Sequence, residues 1–314
     1  MPMNSHVTTV VRNVVYETPS IARFELTCPD FWDLPRFTAG AHIDVVLPDG
    51  AERQYSLCSD PADGRRYQIA VLLDEHGRGG SATIHRLVRV GSVVSVSMPR
   101  NLFAVSPHAA RHIFIAGGIG ITPFIAMVLE LERRGGEYEL HYCTRSREDI
   151  AFFSMLNPRT ARGTVHFHNN TNGRLDMEAL LVHRQPGEHV YCCGPSRMLN
   201  DFLEATRGWP AEAVHYERFG KDPTAASSAP YRVLLGRSGQ RIEVAANQTL
   251  AAALMAHGAP VKVACEAGVC GTCKVQYLSG SPIHRDLILS ADDRQVLMTP
   301  CVSSCVDDEL VLNL

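Results

Sequence analysis

The chain has 314 residues, enough for two or three domains with cores of their own. Its apolar content of 45% and charged content of 20% are ordinary for a globular protein, and a net charge of −3 without any Lys/Arg run excludes a nucleic-acid surface. No stretch reaches the roughly eighteen uninterrupted apolar residues of a membrane span. The first twenty residues also lack the basic start and apolar centre of a signal peptide, so a cytoplasmic protein without membrane contact is expected.

Residues 1–105 alternate apolar and polar in short runs at 7–15, 21–27, 42–47, 54–57, 67–73 and 93–98, punctuated by Pro, Gly and Asp. Short strands with turn signals between them predict an antiparallel β-barrel or sandwich. Two features break the pattern. Arg53 and Tyr55 share one face of a strand that ends in Ser56, and an arginine can hold a phosphate by two parallel hydrogen bonds. Gly77-Arg78-Gly79-Gly80-Ser81 precedes a helical stretch at 81–88, a candidate anion site at a helix start. Alone, each reads as readily as a turn or a half-buried polar strand; ahead of a nucleotide-binding region, the two together suggest a flavin.

From about residue 108 strands alternate with helices, which predicts a parallel α/β sheet: strands at 112–116, 138–143, 164–168 and 189–193, helices at 123–134, 150–156, 177–183 and 196–206. Gly117-Gly118-Ile119-Gly120-Ile121-Thr122-Pro123 joins the first strand to the first helix. Its glycines let a diphosphate approach the backbone at a helix N-terminus, with Thr122 as expected N-cap and Pro123 as first helical residue. Cys193-Gly194-Pro195 lies at the carboxyl end of a second strand, where open α/β sheets bind ligands. Thr144-Arg145-Ser146 ends a third on the same edge; Arg145 is a candidate phosphate ligand, with a solvated loop arginine as the alternative. His166 and His168 point to one face of a strand. With no third ligand in the pattern, they read as a surface pair rather than a metal site.

The run from Gly220 to Pro230 is small, polar and proline-flanked, a linker by composition that spans about 18 Å. Beyond it, with a helical piece at 249–257, the chain reads Cys265-Glu-Ala-Gly-Val-Cys270-Gly-Thr-Cys273, and Cys301 follows. This is the C-x₄-C-x₂-C…C spacing of a plant-type [2Fe–2S] site. Three thiolates must converge from one tight loop, and Gly268 and Gly271 let its backbone close in without a Cβ in the way. Structural zinc usually takes two C-x₂-C knuckles, of which there is one here, and nothing else in the chain speaks for disulfides. Cys305 competes for the fourth place. The segment around Cys301 is more similar to the fourth-ligand strand of ferredoxins, so Cys265, Cys270, Cys273 and Cys301 are the expected metal ligands. The expected domains are 1–105, 106–220 and 231–314, with 221–230 between the last two.

Taken in order, R-x-Y-S (Arg53, Tyr55, Ser56), G-R-G-G-S (77–81), G-G-I-G-I-T-P (117–123), C-G-P (193–195), H-Y-E-x-F (215–219) and the cysteine set closely resemble the phthalate dioxygenase reductase family, within the ferredoxin–NADP⁺ reductase superfamily. The resemblance covers essentially the whole chain. It implies a multidomain architecture: a flavin-binding antiparallel β-barrel, an NAD-binding α/β parallel-sheet domain and an α+β β-grasp ferredoxin domain. It implies FMN rather than FAD, NADH as electron donor, and a monomer serving a Rieske-type oxygenase or demethylase, as vanillate O-demethylase-type reductases do. By the same resemblance, Arg53 holds the FMN phosphate, Tyr55 packs on the flavin and Ser56 hydrogen-bonds near its reactive nitrogen, while Gly79, Gly80 and Ser81 lie by the phosphate. Gly118, Gly120 and Thr122 line the pyrophosphate and nicotinamide path, Cys193 lies near the nicotinamide ring, and Phe219 covers the flavin. Ser56, Cys193 and Phe219 would thus stand at the reacting atoms. Cys58 departs from much of the family. Two other readings stay open: a reductase for a di-iron or haem monooxygenase, and a redox-sensing interaction protein with a structural cluster.

Overall fold

The computed structural model describes residues 6–48, 50–75, 79–157, 163–219, 229–263, 266–268, 271–286 and 288–314. The chain divides into two compact units, Met1–Glu217 and Arg218–Leu314. The expected linker lies outside the described residues up to position 228, as do Gly77, Arg78, Cys265 and Cys270.

The first unit begins with strands β1 (His6–Thr18), β2 (Ile21–Thr27), β3 (Ala41–Val46), β4 (Glu52–Ser56), β5 (Arg66–Leu72), β6 (Val93–Ser97) and the short β7 (Arg100–Asn101). They pair antiparallel in the order β4-β3-β6-β1-β2-β5, with β7 on β3. A bridge between Leu57 and Ile69 joins the two ends of that order and closes a barrel. Closure removes the open edges that a flat sheet would expose. Inward residues two apart (Phe24 and Leu26, Ile43 and Val45, Ile69 and Val71) form its core, into which helix α1 (Gly80–Leu87) inserts Ile84. β7 escapes prediction because two residues carry no alternation.

Next come β8 (Arg111–Gly117), α2 (Thr122–Arg134), β9 (Glu137–Cys143), α3 (Phe153–Leu156), β10 (Gly163–His168), α4 (Met177–Leu181), β11 (Glu188–Gly194), α5 (Ser196–Ala205) and β12 (Val214–Arg218). The sheet order is β10-β9-β8-β11-β12, and β8 to β11 run parallel. One face packs Phe114, Leu140, Tyr142 and Tyr191 against α2, and the other packs Ile113, Ile115 and Val190 against Leu181 of α4 and Leu199 and Phe202 of α5. Each large side chain so buried contributes about 1.5–3 kcal/mol. The α2-side core also takes in Ile21, Ala39, Cys58 and Phe103, so the barrel, with its own core, packs closely against the α/β half. The helix expected over 150–156 shrinks to a single turn because Phe152 sits in the left-handed region, at φ 58°. Strand order reverses between β8 and β11, which opens a crevice at their carboxyl ends.

The second unit contains β13 (Tyr231–Leu235), β14 (Arg241–Val244), α6 (Leu250–Ala256), β15 (Val275–Ser279), β16 (Pro282–Ile283), β17 (Leu297–Met298), β18 (Ser304–Cys305) and β19 (Glu309–Leu312). Its main sheet runs β14-β13-β19-β15-β17, with β13 parallel to β19 and the neighbouring pairs antiparallel, the α+β arrangement of a β-grasp. α6 starts at Thr249, whose hydroxyl accepts the Ala252 N–H at 3.2 Å, and buries Leu250, Ala253 and Leu254 against the sheet. Among the described residues no helix is long and apolar enough to cross a membrane.

Candidate functional site

In the barrel, β4 carries Arg53, Tyr55 and Ser56, and the start of α1 reaches Arg53. A Cβ added at Gly80 would lie 2.7 Å from Arg53 Nε, so the missing side chain is what lets the helix start meet the guanidinium. Gly79 takes φ +81°, and no side chain caps α1. Its first N–H groups and the Arg53 guanidinium beside Gly80 are two sources of positive potential at this end of the barrel. Ser81 braces the turn: its Oγ accepts the Asp74 N–H at 3.0 Å. Tyr55 is half-buried against the barrel core, and burial pushes its phenol up to about 12 against the pull of Arg53, so it stays neutral. Ser56 is buried opposite His42. Cys58 is fully buried, donates its S–H to the Gln68 carbonyl at 3.2 Å, and burial raises its thiol to about 12. It is a packing residue of the shared core rather than an exposed thiol.

In the α/β half the two predicted turns interlock. A Cβ on Gly120 would meet the Cys193 carbonyl oxygen at 2.2 Å, and one on Gly117 would meet Pro195 Cδ at 2.7 Å. Only glycine lets Gly117–Gly120 and Cys193–Pro195 touch backbone to backbone at the reversal of strand order. Gly118 has φ +55° with open space around its Cβ direction. The helix start differs from expectation. Gly118–Ile121 forms a 3₁₀ turn that runs straight into α2, so Thr122 is already helical and its Oγ1 donates to the Ile119 carbonyl at 3.0 Å instead of capping. Cys193 is fully buried; burial first, then the charge of Glu217, pushes its thiol well above the ordinary value. The thiol therefore stays protonated at neutral pH. Glu217, only 8% exposed, is a carboxylate the strand pattern did not single out, and its place in H-Y-E-x-F is the signal that could have found it.

Arg145 is exposed in the loop after β9, which is tied down by Thr144 Oγ1 to the Ser146 carbonyl and by Ser146 to Asp149. Arg147 instead lies over the Phe153 ring at 5.7 Å. Phe219 follows β12 at the start of the second unit and is 36% exposed.

In the second unit Cys273 and Cys301, each 3% exposed, pack in one small cluster with Ala251 and Val302. Cys301 is presented by a tight turn in which Val302 and Ser303 both donate N–H groups to the Thr299 carbonyl. Cys305 belongs elsewhere: it sits on β18 opposite Pro282, and its side chain joins the sheet core with Tyr231 and Leu310. Gly268 and Gly271 both take positive φ, and a Cβ would strike Val302 at 2.7 Å and Ile288 at 2.6 Å respectively. A buried pair of thiols beside glycine-lined backbone suits a thiolate-bound cluster.

The expected pair His166 and His168 on β10 is joined on the same face by Glu139 and His141 of β9, which the sequence did not single out.

Comparison with known proteins follows the same lines. Residues 233–306 match the 2Fe-2S iron-sulfur cluster binding domain family. The chain is 43% identical to the heme-dependent oxidative N-demethylase beta subunit of Ectopseudomonas mendocina (strain ymp), over 90% of each protein. It is 40% identical to phthalate dioxygenase reductase of Burkholderia cepacia, over 93% of this chain and 92% of that one. The solved structure of a phthalate dioxygenase reductase, described as modular for electron transfer from pyridine nucleotides to [2Fe–2S], matches 99% of this chain and 98% of its own, with a TM-score of 0.77 and 37% identity.

Proposed function

Because the chain belongs to the phthalate dioxygenase reductase family, we propose, residue by residue, how it holds the cofactors that carry electrons from NADH through FMN to a [2Fe–2S] cluster. It is an oxidoreductase, the reductase component of an oxygenase or demethylase system. When bound, the flavin takes electrons in pairs and passes them on singly, chemistry that belongs to the cofactors rather than to any acid–base group of the protein.

The chain's own residues bind, orient and exclude. Arg53 and the uncapped start of α1 hold the FMN phosphate; Gly80 supports this reading, because its missing side chain leaves the guanidinium room beside the helix start. Tyr55 offers its neutral ring to the flavin, and Ser56 supplies a hydroxyl held rigid by burial. Gly118, Gly120 and Thr122 line the path of the NADH pyrophosphate and nicotinamide, with Arg145 as a charged contact from the neighbouring loop. Cys193, uncharged, shapes the floor under the nicotinamide. Cys265, Cys270, Cys273 and Cys301 ligate the cluster.

The acceptor is a Rieske-type oxygenase or demethylase, and the chain works as a cytoplasmic monomer. A haem oxygenase is the second reading, favoured by the haem-dependent demethylase subunit among its relatives. Mixing the purified chain with each class of oxygenase decides between them: faster NADH oxidation with the Rieske protein is the expected result, and acceleration by the haem protein alone overturns it. In rapid mixing, NADH should bleach the flavin before a reduced-cluster EPR signal appears. Cys301→Ser should lose cluster iron while Cys305→Ser retains it. Delivery of electrons to the oxygenase at the wild-type rate by Cys273→Ser would falsify the cluster as outlet.

A further inference from the structure

Parallel pairing of β9 with β10 places His166 directly beside His141, while Glu139 and His168 flank them on the same sheet face. This is the face that α4 and α5 cover over β8 and β11, and the β10 edge of it reaches solvent. His141 Nε2 and His166 Nε2 each lie 3.1 Å from one atom, Glu139 Oε1. One ligand atom from each of the three residues falls within 4.8 Å of the others. Around a tetrahedral zinc ion, with ligand bonds of about 2.0–2.1 Å, neighbouring ligand atoms lie about 3.3 Å apart. The two 3.1 Å spacings match neighbouring ligands of one ion, and the remaining pair, within 4.8 Å, closes on it when the exposed His166 side chain turns toward His141.

What surrounds these atoms is as informative as their spacing. Glu139 Oε2 is held by Arg111, which Glu188 fixes in turn at 3.0 Å, so Oε1 is left for the histidines. His141 Nδ1 lies 3.0 Å from His168 Nε2, so a ring ligated through Nε2 has a partner for its other nitrogen. Outer hydrogen bonds of this kind set the tautomer and orientation of metal-bound histidines. His141 is 7% exposed and Glu139 17%, while His166 at 47% leaves an entry path and room for water as a fourth ligand.

We propose that Glu139, His141 and His166 bind one divalent transition-metal ion, of the class that takes imidazole and carboxylate together, with His168 and Arg111 as positioning residues. Such an ion clamps the edge strand β10 to β9. Zinc is the natural probe, since mixed N and O ligands with an open position suit it.

The test uses the tag-free protein with its cluster and flavin in place, dialysed to equilibrium against micromolar zinc and analysed for metals. Iron serves as the internal count, because zinc entering the cluster would lower it. One zinc per two irons is expected, with a rise of several degrees in thermal midpoint. His166→Ala changes an exposed side chain and should weaken binding at least tenfold with the fold intact; Glu139→Gln should do the same. His168→Ala should weaken it about 10- to 100-fold through loss of the outer hydrogen bond. His189→Ala, on the opposite face, should bind as the parent does. Zinc uptake that is absent, or that is unchanged in His166→Ala and Glu139→Gln, overturns the proposal.

Discussion

The two glycine turns of the first unit look alike in sequence and do opposite work. In Gly117–Gly120 the missing side chains make room for the protein itself: Gly120 meets the Cys193 carbonyl, Gly117 meets Pro195, and the two halves of the crevice are welded together. In Gly79-Gly80 they make room for a charge. Gly79 faces open space, and Gly80 faces only the flexible end of Arg53. The first turn is therefore a structural joint, whereas the second, the proposed phosphate site, has little structural duty. Changes to the first should register as stability, and changes to the second as ligand affinity.

The largest expected effect is from Gly120→Ala, which forces a Cβ into backbone that cannot yield. Overpacking of this sort should destabilise the first unit by about 3 kcal/mol, read from urea unfolding, and a change below about 1 kcal/mol would break the comparison. Arg53→Ala should leave unfolding unchanged and weaken FMN binding by about 2 kcal/mol, roughly 30-fold, measured by fluorescence titration. If the variant keeps FMN as tightly as the parent, the phosphate assignment fails. Gly118→Ala separates conformation from crowding inside one turn. Its Cβ meets nothing, so only φ +55° is penalised, at roughly 1–2 kcal/mol.

The smallest effect concerns pH. His215 stacks on Tyr191, and burial, with His189 and His112 nearby, holds its imidazole down at about 4 against an ordinary 6.5. Since the folded value is the lower one, the contribution is complete above pH 6.5 and fades as pH falls toward 4, where the unfolded chain takes the proton first. Half-buried as it is, His215 should account for only about 1 kcal/mol of that loss. Urea midpoints from pH 7 to 4 should slope less in His215→Phe, which keeps the stacked ring and removes the titration. An unchanged slope would assign the acid sensitivity elsewhere.

How much of this was legible depended on distance along the chain. The C-x₄-C-x₂-C run, the alternation of β2, β3 and β6, and the glycine turn between β8 and α2 are local patterns, each bounded by a few residues, and local geometry writes them directly into sequence. The helix start at Thr122 departs from the sequence pattern because a 3₁₀ turn occupies the residues before it, and a Ser/Thr ahead of Pro looks the same in either case. α3 was overread because Phe152 takes a left-handed conformation that its side chain does not announce.

The chemistry was readable along the chain: four spaced cysteines, two glycine turns and the strand rhythm between them pointed to an electron carrier with a flavin and a nucleotide. Tertiary structure alone decided which residues meet across long separations. The close approach of Gly120 to Cys193, the sorting of Cys301 with Cys273 and of Cys305 into the sheet core, and the pairing of His141 with His166 all depend on register and packing. A parallel strand pair is joined through an intervening crossover, so neither spacing nor composition marks which side chains end up side by side. For that reason His166 and His168 looked like a bare pair in sequence, and their closeness to His141 and Glu139 arose only when β9 lay down beside them.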